Sequence, residues 1–274
     1  MEVTENAFNK YLDILNIRKK PPSMQYLKEL IKAQLIRIPF EDISKIYYRK
    51  QLNIRGLPDF EIYLNGIEKY NFGGTCYPIN YYFNRLLKHV GFAVKLCGAD
   101  MSKPDVHMLN IVTLENKEYL VDAGFAAPFF APIPRDLKDD FIFSRGEVMY
   151  KIKPVNEINR SVIELYEKDE FRMNYIANPL PRDIHEFEGV IEDSFSERST
   201  FINSLFLARH YEDKTIAIYN LKLTEHSANI TTNHEIKTRE ELIETVHREF
   251  EIPVDIIEPV IKAMSKLREE LNKR

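Results

Sequence analysis

Tryptophan is absent from this 274-residue chain, and cysteine occurs only twice, as Cys76 and Cys97. Two thiols make neither a disulfide framework nor a zinc-spaced cluster, so no structural metal is expected. A bridge between the two is not expected either, because such scarcity suits a reducing compartment. No apolar run approaches the roughly 18 residues of a membrane span. Met1-Glu2-Val3-Thr4-Glu5 lacks the apolar core of a signal peptide. The expected location is the cytoplasm, with no membrane partner. An excess of one charge sign is also missing: 38 Lys+Arg against 42 Asp+Glu leave a net charge of −4. That balance gives no chain-wide attraction to nucleic acid, so an anionic ligand needs a local site.

What is present suits a globular protein with a large core, at 44% hydrophobic and 29% charged residues. The first part reads as helical. Phe8, Tyr11, Leu12 and Leu15 form one apolar face over residues 5–17, ended by Pro21-Pro22. Ser23 can cap a second helix bearing Leu27, Leu30, Ile31 and Leu35. Ile38-Pro39-Phe40 interrupts that pattern, and a third amphipathic piece runs from Pro58 to Ile67. A central helix follows from Cys76, with Ile79, Phe83, Leu86, Leu87 and Val90 buried, Thr75 as cap and Gly91 as stop.

From Phe92 the period shortens to about two, and strands are expected at 92–96, 107–114, 117–122, 141–143 and 148–153. Further strands are expected at 161–166 and 215–223, with a helix at 200–208 between them. Thr238-Arg239-Glu240-Glu241 reads as a capping box opening a helix through Phe250, and a last charged helix covers about 259–272. The expected layout is α+β: a helical bundle over 1–91, an antiparallel sheet or barrel over 92–198, and a smaller mixed region over 199–274.

One decapeptide, Asn71 to Asn80, joins the helical and strand-rich parts. It sets Cys76 after Gly73-Gly74, at the start of a helix. There the unpaired N–H groups and positive partial charge favour a thiolate, although a buried cysteine can equally be core filler. Two downstream residues bear on the choice. His107 heads an otherwise apolar strand, and Asp122 ends the next one. If Glu115-Asn116 is a two-residue turn, Asp122 faces Leu109 and becomes a diagonal neighbour of His107. If the turn is Asn116-Lys117, Asp122 faces Ile111 and the two cannot bond. Asn116 tolerates the left-handed backbone that the first arrangement needs. A Cys76–His107–Asp122 set would let histidine hold the thiol proton while the carboxylate fixes the ring, the chemistry of acyl transfer through a thioester. By itself it does not separate a peptidase from an acyltransferase.

These residues resemble the arylamine N-acetyltransferase family. Ile38-Pro39-Phe40-Glu41-Asp42 is similar to the family's I-P-F-E-N segment, Gly73-Gly74-Thr75-Cys76 to R-G-G-x-C, and Val121-Asp122-Ala123-Gly124-Phe125 to V-D-x-G-F. The likeness continues through Ser199-Thr200-Phe201 and Leu223-Thr224. It implies a β-barrel and an α/β lid around a papain-like cysteine-proteinase core. It further implies ping-pong transfer from acetyl-CoA, through an acetyl-cysteine, to an arylamine or hydrazine. By the same resemblance Phe40, Phe125, Phe129 and Phe201 line the acceptor pocket, where ordinary core is the plainer reading, and the segment Gly124, Ala126, Ala127 meets coenzyme A.

Three departures stand out. Phe72 replaces the arginine before Gly-Gly, Pro78 replaces the acidic or amide residue two positions after the cysteine, and Ala126-Ala127 stand where the family has glycine. The alternatives are a thiol hydrolase with the same triad, or a binding protein that keeps the fold and has lost turnover.

Overall fold

The computed structural model describes residues 4–273, so the reading of Met1–Val3 lies outside the described residues. The helical part comprises α1 (Glu5–Ile14), α2 (Met24–Arg37), the two-residue β1 (Phe40–Glu41), α3 (Ile43–Gln51), α4 (Phe60–Tyr70) and α5 (Cys76–His89). Ser23 caps α2 as expected, its hydroxyl accepting the Tyr26 N–H at 3.1 Å. The apolar faces of α1, α2, α4 and α5 meet in one core with Tyr11, Leu27, Leu64 and Phe83 inside. Helix α3 lies where Pro39 had indicated only an interruption. A side chain supplies its start: Glu41 Oε2 accepts the Ser44 N–H at 2.7 Å. His89 ends α5 without the cationic preference its position suggests. Partial burial and the nearby Lys19 ammonium pull its pKa down, and its ring stacks on Phe8 at 4.4 Å.

Then come β2 (Ala93–Asp100), β3 (His107–Leu114), β4 (Lys117–Val121), β5 (Ile133–Pro134), β6 (Phe141–Arg145), β7 (Val148–Ile152), β8 (Ser161–Glu167) and β9 (Glu170–Ala177). They form one antiparallel sheet in the order β5-β4-β3-β2-β9-β8-β7-β6. It is a curled half-barrel with edges at β5 and β6, not a closed barrel. Strand β9 escapes a pattern search because its first half is exposed on successive residues, without a two-residue alternation. The left-handed pair Lys168 and Asp169, φ 53° and 63°, turns the chain from β8 into it. The sheet's own core contains Leu109, Ile111, Phe129, Tyr150 and Tyr175.

A 3₁₀ turn (Ile184–Phe187), α6 (Glu188–Asp193) and α7 (Thr200–Asn203) lead to a second sheet of β10 (Phe206–His210), β11 (Thr215–Tyr219), β12 (Lys222–His226) and β13 (Thr231–Glu235). The helix expected over 200–208 is therefore one turn followed by a strand. Apolar runs of that length suit either element, and here pairing decides: β10 takes β11 on one side and β1 on the other, Phe40 facing Ala208. The single strand expected over 215–223 is a hairpin, folded at Asn220 with φ 50°.

The chain closes with α8 (Arg239–Phe250), α9 (Val254–Ala263) and α10 (Ser265–Asn272). Thr238 caps α8 by accepting the Glu241 N–H at 3.1 Å, and the Glu241 carboxylate reaches back over the cap to accept the Lys237 N–H at 2.7 Å. The last helix expected over 259–272 is two helices. Helix α9 already starts at Val254, tolerates Pro259 within it, and breaks at Met264, whose backbone is extended. Among the described residues no helix is long and apolar enough to cross a membrane.

Candidate active site

Both cysteines are free and buried. Cys97 lies inside the sheet, where burial pushes its thiol up to about 12 and makes it inert at neutral pH. Cys76 is the first residue of α5, after Thr75 with an extended backbone, so the first N–H groups of the helix have no helical acceptor. The turn before it is pinned to the segment 39–41. Gly73 N–H donates to Glu41 Oε1 at 2.9 Å and Glu41 N–H to Gly74 O at 3.0 Å. A Cβ on Gly73 would lie 1.8 Å from Pro39 O, so only glycine permits this approach. The Ile38-Pro39-Phe40-Glu41 and Gly73-Gly74-Thr75-Cys76 motifs are thus two sides of one joint.

The strand pair resolves the hairpin question. Glu115 and Asn116 both have positive φ, 51° and 60°, and form the two-residue turn that pairs Leu114 with Lys117 and Asn110 with Val121. One position beyond that ladder, Asp122 Oδ2 lies 2.7 Å from His107 Nε2, with both side chains buried. Cys76 is the other group near enough to the ring to favour its charged form. Burial pulls the imidazolium down, but the Asp122 carboxylate and Cys76 outweigh it and push His107 up to about 10. Burial likewise raises Asp122, but His107, Asn80 and the Gly124 N–H together hold its carboxyl below the usual range. The charged pair is therefore the resting form near neutral pH.

Helix α5 is stitched to this hairpin by side-chain amides. Asn80 Nδ2 donates to Asp122 Oδ1 at 2.9 Å and to Met108 O at 2.5 Å, while its Oδ1 accepts the Ala123 N–H at 3.0 Å. Asn84 Nδ2 donates to Asn110 Oδ1 at 2.8 Å, and Asn110 Nδ2 returns to Asn80 O at 3.1 Å. Tyr77 OH donates to Val106 O at 3.0 Å, next to His107. Gly124 closes the contact from the other direction: a Cβ there would lie 2.8 Å from Cys76 Cα and 2.6 Å from Asn80 Nδ2. Three asparagines at i, i+4 and across a strand are a recoverable signal, since buried amides need partners; the partner itself is not recoverable from sequence.

The four phenylalanines separate into two pairs. Phe40 meets Phe201, ring centroids 5.8 Å apart, and both touch Phe206. Phe125 stacks parallel to Phe129 at 6.3 Å and sets its edge on His107 at 5.5 Å. Phe40 and Phe129 are buried, whereas Phe125 and Phe201 are half-buried. Tyr175, also unanticipated, packs on His107 at 5.0 Å and on Phe125 at 4.7 Å. Ala126 holds a left-handed φ of 61°, and Ala127 is buried in the core of the sheet. Of the departures in the decapeptide, Phe72 is buried among Tyr47, Tyr48 and Tyr70, and Pro78 is half-buried in the first turn of α5.

Comparison with known proteins agrees with this geometry. The family model described as N-acetyltransferase matches residues 23–259. The pineal gland isozyme NAT-3 of arylamine N-acetyltransferase from Gallus gallus is 26% identical over 263 residues, covering 85% of this chain and 89% of its own. Among solved structures, the arylamine N-acetyltransferase of Nocardia farcinica superposes with a TM-score of 0.78 at 21% identity, covering 94% of each chain. That of Mycobacterium marinum in complex with CoA gives 0.78 at 19% identity, covering 96% of this chain and 98% of its own. With the family model spanning most of its length, the chain belongs to the N-acetyltransferase family, and with it to the acyltransferase enzymes.

Proposed function

We propose that the protein transfers an acetyl group from acetyl-CoA to an arylamine or hydrazine through a Cys76 thioester. The observation that carries this reading is the buried His107–Asp122 pair, with Asp122 2.7 Å from one ring nitrogen and the buried Cys76 close enough to favour the charged ring. His107 holds the thiol proton, and the Cys76 thiolate attacks the carbonyl carbon of the donor thioester. The C–S bond to coenzyme A breaks, coenzyme A leaves as its thiol with the proton from His107, and acetyl-Cys76 remains. An aromatic amine, neutral at pH 7, then attacks that carbonyl. His107 accepts the amine proton, the amide forms, and Cys76 is released. Asp122 stays ionised throughout and keeps the ring oriented. The N–H groups at the start of α5 are the donors available to the oxyanion.

Residues 123–127 run as consecutive bends, with Ala126 already left-handed. Alanine thus keeps the bend that glycine would give. The N–H groups of Ala123 and Gly124 are taken by Asn80 and Asp122, so the left-handed turn at Ala126 is the part of this segment that suits a phosphate, and there we place the contact with coenzyme A. Phe125 beside His107 and the Phe40–Phe201 pair are the walls we assign to the acceptor. In this reading residues 1–91 carry the nucleophile, 92–198 carry its base and carboxylate in a papain-like arrangement, and 199–274 act as the lid. A free thiol nucleophile suits the cytoplasm.

Incubation with acetyl-CoA followed by intact-mass measurement tests the first half-reaction. The expected result is an adduct of about 42 Da, one acetyl group, that is lost in Cys76→Ala and discharged by an aromatic amine. A protein that hydrolyses thioesters without passing acetyl to the amine, or that gains no adduct, overturns the reading.

A further inference from the structure

Lysine is seldom buried without a carboxylate to meet it, yet Lys45 on α3 is 7% exposed and makes no ion pair within 4 Å among the described residues. Its ammonium donates to Ser194 Oγ at 2.5 Å and lies 4.0 Å from the centroid of the Phe195 ring. It lines a cavity of about 30 Å³ together with Gly73, Gly74, Thr75, Tyr77 and Pro78, the residues on either side of Cys76. The decapeptide itself contains no lysine or arginine, and Phe72 offers only an aromatic face to Tyr47, Tyr48 and Tyr70. The carboxylates in the same joint do not claim the ammonium. Glu41 is engaged by the Gly73 and Ser44 N–H groups, and Asp42 Oδ2 accepts the Phe206 N–H at 2.9 Å.

We propose that Lys45 is a positioning residue for the nucleophile: its buried ammonium, lining one cavity with the Gly73–Thr75 turn, supplies positive charge that stabilises the Cys76 thiolate. The inference rests on Cys76 being the nucleophile. The titratable groups around this place are Glu41 and Asp42 beside α3, Tyr48 on α3, Tyr63 on α4, Cys76 and Tyr77 on α5, His107 on β3, and Asp193 at the end of α6. Burial pulls the Lys45 ammonium down to about 8, with Cys76 and then Asp42 holding it up. It is thus still charged at neutral pH and becomes neutral just above it. Cys76 in turn has two cationic neighbours of different kinds: His107, which exchanges its proton, and Lys45, which contributes only field.

The test is the pH profile of Cys76 alkylation by iodoacetamide, followed by mass, in the wild-type chain and in Lys45→Met, Lys45→Arg and His107→Ala. Methionine keeps the stem against Phe195 and removes the charge. The expected result is alkylation about tenfold slower at pH 7 in Lys45→Met, with the profile moved about one unit toward alkaline pH. Lys45→Arg should return it toward wild type. A folded Lys45→Met with an unchanged profile overturns the proposal, as does a Lys45→Arg that behaves like the methionine variant. Should the methionine variant fail to fold, Ser194→Ala, which frees the ammonium from its hydroxyl partner, is expected to shift the profile in the same direction by less, and no shift there is equally fatal. His107→Ala keeps the two readings separable. If it leaves alkylation unchanged, the thiolate–imidazolium pair itself falls; if it alone slows alkylation, only the role of Lys45 falls.

Discussion

The two sides of Cys76 solve the same burial problem differently. On the sheet side each charge has a dedicated partner: His107 has Asp122, and Asp122 has Asn80 and the Gly124 N–H as well. On the α3 side the charges meet only neutral groups: Glu41 has two backbone N–H groups, Asp42 has one on Oδ2 with Oδ1 left unpartnered, and Lys45 has a hydroxyl and a ring. The consequence shows in the direction of each pKa. Pairing outweighs desolvation for His107 and Asp122, which keep their charges, whereas desolvation wins for Glu41, Asp42 and Lys45, which are pushed toward neutrality. A direct ion pair thus fixes a protonation state, and a scaffold of backbone donors mainly fixes a shape.

Breaking the sheet side should do the most harm to chemistry. Asp122→Asn retains the shape but removes the charge that holds the imidazolium, and turnover of acetyl-CoA with an aromatic amine should fall by about 10³- to 10⁴-fold. A loss under tenfold in a folded variant would mean that the pair is structural. Gly124→Ala comes next. Its Cβ meets Cys76 Cα and Asn80 Nδ2 at sub-contact distances, so Cys76 must shift, with an expected fall in turnover of about a hundredfold and a stability loss of ~1–3 kcal/mol. Denaturant unfolding beside the rate assay checks both, and an unaffected rate would show that the helix–hairpin spacing has slack. Asn80→Ala is expected to cost ~1–3 kcal/mol by leaving Asp122 Oδ1 and the Ala123 N–H short of partners. A thermal unfolding midpoint equal to wild type would contradict it.

The smallest effect is also the one that sets the two sides against each other. His107 has a raised pKa, so its pairing stabilises the fold fully below its ordinary 6.5 and that contribution is lost as pH rises through about 10. Lys45 has a lowered pKa, so its desolvation cost is present below about 8 and is relieved as pH rises toward 10.5. The two slopes oppose each other between pH 8 and 10. Unfolding midpoints over that range should fall more steeply in Lys45→Met than in wild type, and parallel curves would refute the opposition.

Local features were legible wherever a short stretch carries its own physics. Ser23 and Thr238 announced their helices because a side-chain oxygen beside an exposed N–H needs nothing distant. Asn116 announced the hairpin, since few residues accept a left-handed backbone. Where local preference was undecided, the reading failed: Phe206–His210 looked helical until β1 and β11 were there to pair with it. Asn220 carried the same turn signal as Asn116 and was passed over within an apolar run. At the site, Cys76, His107 and Asp122 stood out by residue type and setting. Asn80, Tyr175 and Lys45 did not, because a buried amide, ring or ammonium reveals its role only through its neighbours.

By itself the sequence determined which groups are available for chemistry and where the chain turns, and it narrowed the β3–β4 hairpin to two registers, because turn type and two-residue alternation are properties of adjacent residues. The tertiary structure alone decided which register the hairpin takes, that Cys76 comes close to the ring of His107, that the half-barrel stays open at β5 and β6, and that a lysine from α3 lines one cavity with the Gly73–Thr75 turn. Those depend on how α5 seats on the hairpin through Asn80, Asn84 and Gly124, and contacts between residues distant in sequence are set by the packing of whole elements, which no local preference encodes.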